Sequence, residues 1–171
     1  MVEVRERRVA MVGGGLILRH WDDDDEAALV RIFDDPEVAL RTPLPSPFGP
    51  VDVSGYIAAL RQGRLDLAIT TDGQRQRPVG QIMLNLGSHM VSYVVGADSR
   101  GTGIATRALT LMSNYARDTL EIPVAGLEVE PDNAASIAVA TRCGFSRSDR
   151  PVEEVEDKGR RYTLETWLLP S

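Results

Sequence analysis

The chain is predicted to fold as a single α/β domain: one mixed, mostly antiparallel sheet of six to seven strands with flanking helices. Three observations predict this. Segments 65–71 and 79–86 are apolar, of strand length and joined by the polar turn D-G-Q-R-Q-R-P, and 90–95 follows as a third antiparallel neighbour. From there a strand, a glycine loop, an amphipathic helix and the strand 124–129 make a right-handed crossover between parallel neighbours. A length of 171 residues suits one core.

The elements follow in order. Residues 1–10 alternate valine with charge and read either as an extra edge strand or as a loose segment before the Gly13-Gly14-Gly15 break, so 1–15 is treated as an N-terminal extension of a domain spanning 16–171. Residues 16–20 read as a strand. Residues 24–39 read as a helix with Ala28, Leu29, Ile32 and Phe33 on its apolar face and Pro36 marking a break. Four prolines within 41–50 make a stiff irregular loop, and a helix over 51–62 follows. The helix after the glycine loop should run to 119, burying Ile104, Ala108, Leu111, Met112 and Tyr115. A short helix over 133–142, ended by Gly144, precedes two strands at 152–156 and 162–169 that turn at Asp157-Lys158-Gly159.

Composition narrows the function. A net charge of −6 argues against nucleic acid, which needs a clustered positive face, and suits a cationic partner. Cys143 is the only cysteine, so no internal disulfide forms; beside Gly144 and Phe145 it reads as a packed side chain, and the chain is placed in the cytoplasm. No apolar stretch is long enough to cross a membrane. The acidic run Asp22 to Asp25 reads as helix capping.

The chemistry is expected in residues 93–108, Y-V-V-G-A-D-S-R-G-T-G-I-A-T-R-A. Gly101 and Gly103 leave backbone N–H groups unshielded at a helix N-terminus and Arg100 adds a cation, so the loop is receptive to phosphate; read alone, it is equally a tight strand-to-helix connection. No G-x-x-x-x-G-K-[ST] occurs and no G-x-G-x-x-G follows a strand, which removes nucleotide hydrolysis and Rossmann-type binding.

Arg100, Gly103 and Ala105 match Q/R-x-x-G-x-G/A, and the loop thereby resembles the acyl-coenzyme A signature of the GNAT superfamily. A second block, E-P-D-N-A-A-S-I-A-V-A-T-R-C-G-F at 130–145, is similar to the P-x-N-x-x-S…G-F block of the ribosomal-protein N-terminal acetyltransferase branch. Segments 16–25 and 42–48 are similar to that branch as well, so the resemblance covers roughly 16–169.

The resemblance implies a parallel strand pair, 90–95 and 124–129, that splays at mid-length to pair with the pantetheine arm of acetyl-CoA. It implies that the donor pyrophosphate sits on the N–H groups of Gly101, Thr102, Gly103, Ile104, Ala105 and Thr106, assisted by Arg100 and the two threonine hydroxyls. A main-chain N–H at Val94 or Val95, near a strand bulge, would hold the oxyanion. Ser136 would donate a hydrogen bond to the leaving thiolate and Asn133 would brace the cleft or bond the pantetheine arm. Read without the resemblance, Ser136 is a first-turn helix residue and Asn133 an N-cap.

Glu128 is the first candidate for general base, then His89 and His20, with a water relay as the alternative; no metal is called for. The expected reaction is acetyl transfer from acetyl-CoA to a cationic primary amine, either a protein N-terminus or a small molecule. The variable segments 36–50, 51–62 and 147–161 would contact this acceptor. Two alternatives stand beside it: a non-catalytic acyl-CoA-binding module and a transferase of a longer acyl group such as succinyl. Dimerisation would use a tail strand such as 162–169.

Overall fold

The computed structural model describes residues 9–60, 63–74, 77–122 and 125–170. The expectations for 1–8, for the helix end at 61–62 and for the strand start at 124 lie outside these residues.

Five strands, β1 (Val9–Gly13), β2 (Leu16–Arg19), β3 (Arg64–Thr71), β4 (Gly80–Asn85) and β5 (Val91–Val95), form an antiparallel sheet in chain order. A second group holds β6 (Ala125–Val129), β7 (Ser146–Arg147), β8 (Glu153–Asp157) and β9 (Arg160–Leu169), with β9 between β6 and β7 and also paired to β8. Among the described residues one parallel bridge, Met90 to Gly126, joins the two groups. The predicted mixed sheet thus parts between its two parallel strands, as expected, and among the described residues it has nine strands rather than six or seven. The additions are β1, which pairs along β2, and the two-residue β7. β9 has β6 on one side and β7 on the other, so that part of the tail strand presents no open edge for a partner copy.

The helices are α1 (Glu26–Phe33), α2 (Pro36–Arg41), α3 (Pro50–Leu60), α4 (Ile104–Asp118) and α5 (Ala134–Arg142). The helix predicted over 24–39 is broken, because a residue before proline avoids helical geometry. Asp35 is extended (φ −143°, ψ 136°), and its side chain accepts the N–H groups of Glu37 and Val38 to start α2. The acidic run does cap: Asp25 accepts the Asp22 N–H at 2.7 Å, and it also forms a buried two-bond pair with Arg19 at 2.7 and 2.9 Å.

Alternation sends Leu67, Ile69, Ile82, Leu84 and Val91 to one face, where Ala108, Leu109 and Met112 of α4 and Ala140 of α5 close the main core. Each fully buried large side chain contributes about 1.5–3 kcal/mol. On the other face Leu29, Ile32, Phe33, Val38, Phe48 and Val53 make a second cluster that Val94 joins from the sheet. The fold therefore covers both faces of the β4–β5 region and, among the described residues, leaves a gap between β5 and β6.

Candidate active site

The gap begins at Gly126. Its N–H donates to the His89 carbonyl at 3.2 Å, and a Cβ there would stand 2.7 Å from Met90 Sδ, so glycine permits the close approach at the apex. Beyond the bridge no pairing joins β5 to β6. Met90 O accepts from Asn85 N and Gly96 N donates to Val79 O, so even-numbered residues of this strand bond β4. The N–H and C=O groups of Tyr93 and Val95 then face the gap. The ladder from Val91 to Val95 runs in unbroken register with β4, without the expected bulge, and of the two predicted oxyanion donors Val95 is the one directed into the gap while Val94 joins the second core.

At the open end a 3-10 turn (Ala97–Ser99) leads into the glycine loop. Gly101 (φ 75°) and Gly103 (φ 78°) take left-handed backbone, exposed and with nothing within 4 Å of a Cβ at either position. Gly103 is the N-cap of α4, and no side chain caps its N–H groups. Ile104 anchors the loop in the core, with Ala105 and Thr106 half-buried behind it. Thr102 Oγ1 donates to the Ser99 carbonyl at 2.5 Å. Arg100 does not point its fork at the loop: its Nε donates to the Val95 carbonyl at 3.1 Å and its Nη2 to Asp35 Oδ1 at 2.8 Å. That bond holds the Asp35 carboxyl below its ordinary 3.8, against an opposing push from burial.

Across the gap, Asn133 accepts the Ser136 N–H at 3.2 Å and so caps α5. Ser136 lies beside Tyr93, whose hydroxyl is buried without a hydrogen bond of normal geometry. Burial pushes the Tyr93 phenol up, while the Ser136 hydroxyl acts in the opposite direction. Tyr93 was legible only as a strand residue; the one available signal was a polar-tipped side chain among inward-facing valines.

Glu128 lies exposed on β6, on the face opposite Leu127 and Val129, and burial of its carboxyl and then the charge of Glu153 raise it above its ordinary 4.5. His89 is at the apex rather than the open end, and exposed His20 follows β2, three strands from β5, so neither is brought to the loop. Cys143 packs against α4, its Sγ 3.4 Å from the Thr106 carbonyl. Among the described residues no group of three or more histidines, cysteines or carboxylates gathers as metal ligands, and no helix is long and apolar enough to cross a membrane.

Two residues of this region escaped the sequence reading. Glu130, just past β6, is 5% exposed and accepts Arg41 Nη1 at 2.8 Å and both terminal nitrogens of Arg160. Asp35 is the other. Each is matched with an arginine more than twenty residues away, a pairing that periodicity does not reveal.

The family model described as an acetyltransferase (GNAT) domain matches residues 15–146. No curated protein sequence matches the chain. Among solved structures, the chain is similar to Mycobacterium smegmatis RimJ in complex with CoA-disulfide (20% identity, 91% of this chain and 82% of that one, TM-score 0.78). It is similar to the microcin C7 self-immunity acetyltransferase MccE in complex with acetyl-CoA and AMP (20% identity, 96% and 97%, TM-score 0.80). A third is a spermidine N-acetyltransferase from Vibrio cholerae in complex with CoA and spermine (13% identity, 92% and 96%, TM-score 0.78).

Proposed function

The chain belongs to the acetyltransferase (GNAT) family, and from that premise we propose that it transfers an acetyl group from acetyl-CoA to a cationic primary amine by direct attack. One observation carries the reading: an unpaired strand edge and a helix N-terminus with uncapped N–H groups open at the same end of one gap, with Ser136 across it. That is a site for a phosphate joined to an extended amide-bearing arm.

The pyrophosphate would rest on the N–H groups of Gly101 through Thr106, and the arm along Tyr93 and Val95. The amine nitrogen attacks the thioester carbonyl carbon, and the Val95 N–H holds the oxygen as it becomes negative. The C–S bond then breaks, Ser136 donates a hydrogen bond to the departing thiolate, and Glu128 takes the proton that the attacking nitrogen gives up. Arg100 acts on this loop through Asp35 and the Val95 carbonyl rather than by gripping phosphate. Asn133 serves by starting α5 so that Ser136 meets Tyr93.

Of the solved relatives named above, one is a spermidine N-acetyltransferase bound to CoA and spermine, and for this chain charge narrows the acceptor. The net −6 and the acids Glu128, Glu153, Glu154 and Glu156 favour a cation, a protein N-terminus or a small amine. An α-amine, with a pKa about 8, is deprotonated more readily near neutral pH than a lysine at about 10.4. With a single cysteine, the enzyme suits the cytoplasm.

The test is a donor and acceptor panel read by mass spectrometry, with acetyl-CoA, succinyl-CoA, N-terminal peptides and polyamines. A mass gain of one acetyl group on an amine is the expected result. CoA binding by calorimetry with no turnover on any amine would convert the reading to a binding module.

A further inference from the structure

The six-residue helix α2 is tied at its two ends to residues beside the ends of the two strands that part. At its N-terminal end Asp35 holds Arg100, whose Nε is bonded to the carbonyl of Val95, the last residue of β5. At its C-terminal end Arg41 holds Glu130, the residue that follows β6. In parallel register from the Met90–Gly126 bridge, Val94 would stand opposite Glu130 if the strands had stayed paired. The two anchors therefore grip the parted ends at matching height.

Both anchors are built. Asp35 is also the α2 cap, accepting Glu37 N and Val38 N, so its carboxylate cannot swing without unwinding the helix. Glu130 is buried and takes Arg160 as well, while Lys158 from the β8–β9 turn donates to the Ala39 and Thr42 carbonyls at 2.9 Å each. The C-terminal end of α2 is thus fixed to both β6 and the tail hairpin. A six-residue helix is about 9 Å long at 1.5 Å per residue, against about 4.8 Å between paired strands.

The geometry points to α2 as a strut across the mouth of the cleft, with Asp35 and Arg41 as positioning residues that set the spacing of β5 and β6 and hence the fit of the donor's amide-bearing arm. The inference rests on the donor-site reading above and adds to it a part that touches neither phosphate nor acyl group.

The test uses CoA and its nucleotide half, phosphoadenosine diphosphate, which lacks the arm. Asp35→Asn keeps the helix cap and weakens the Arg100 pair; Arg41→Gln leaves Arg160 on Glu130. Each is expected to raise the Kd for CoA about tenfold, the scale of one lost positioning contact, and to leave the nucleotide half within about twofold of wild type. The double variant should bind CoA no worse than the weaker single, since a strut freed at one end no longer holds a distance. Glu37→Gln, which removes one of Arg41's two exposed partners and leaves Asp132 and Glu130 in place, should change neither. Equal loss for CoA and for the nucleotide half, or an unchanged CoA Kd in both variants, overturns the strut. Wild-type protein that binds neither ligand overturns the donor site itself.

Discussion

Ser136 and Tyr93 are two hydroxyls that meet inside the gap, and they are expected to respond differently to deletion. If Ser136 hydrogen-bonds the departing thiolate, Ser136→Ala lowers kcat by about tenfold to a hundredfold, the scale of one hydrogen bond to a charged group, and leaves donor affinity alone, since the bond is made only as the C–S bond breaks. Steady-state rates at saturating acetyl-CoA check this; an unchanged kcat removes the role. The Tyr93 hydroxyl is buried without a hydrogen bond of normal geometry, so Tyr93→Phe removes a desolvated polar atom at the cost of a weak contact with Ser136. The thermal midpoint should hold or rise slightly, whereas a fall of several degrees would show that the hydroxyl is satisfied in solution. Glu128 makes a third case. Burial and Glu153 raise its carboxyl, so the acidic limb of kcat/KM should lie above pH 4.5, the group's ordinary value, and Glu128→Gln should abolish that limb. A limb that survives the substitution assigns the proton to water.

At the scale of elements, β5 and β6 are governed by their apex. A Cβ at Gly126 meets the flexible end of Met90 at 2.7 Å and Leu168 at 3.2 Å. Gly126→Ala should therefore cost less than about 1 kcal/mol, and Gly126→Val about 2 kcal/mol or more, because a branched side chain overpacks the bridge. Urea denaturation gives both values, and an equal cost for the two would mean that the apex is not tight. The same strands show what a single sequence makes legible. Valine alternation marks β5, and helical spacing with a glycine entry marks α4, because one side of each is buried and the pattern repeats along the chain. The glycine loop and the Asn133–Ser136 start of α5 were legible because their geometry is local. The partner of Arg100 was not. An arginine beside two glycines reads as a phosphate grip, while its carboxylate, Asp35, is fixed only when α2 folds over β5. Glu130 was hidden in the same way by partners on α2 and on β9. The two-residue β7 carries no period at all and exists because β9 offers it an edge.

For the whole molecule, the described residue that most directly links pH to folding is Asp66, which sits where three parts meet. From β3 its carboxylate accepts Trp21 Nε1 at 2.7 Å from the loop after β2, Gln81 Nε2 at 2.7 Å from β4 and Tyr56 Oη at 3.2 Å from α3. Arg64 adds a favourable charge, yet burial dominates and raises the carboxyl from 3.8 to about 6. A carboxyl whose pKa is higher folded than unfolded contributes stability that is complete below 3.8 and is lost as the pH rises through about 6. The gap corresponds to roughly 3 kcal/mol. Asp35 has the opposite sign, since its lowered carboxyl stabilises above its ordinary 3.8 and loses that contribution only as the pH falls below it. Between about pH 4 and 6 the two do not overlap, and Glu128→Gln removes the other raised carboxyl among the described residues. In that background, the unfolding free energy attributable to Asp66 should increase as the pH is lowered from 7 to 4.5, and the increase should vanish in Asp66→Asn. Parallel stability curves for the two proteins across this window would mean that the three donors, rather than burial, set the charge of Asp66, and that the contact between α3 and the sheet is held by an ionised carboxylate throughout.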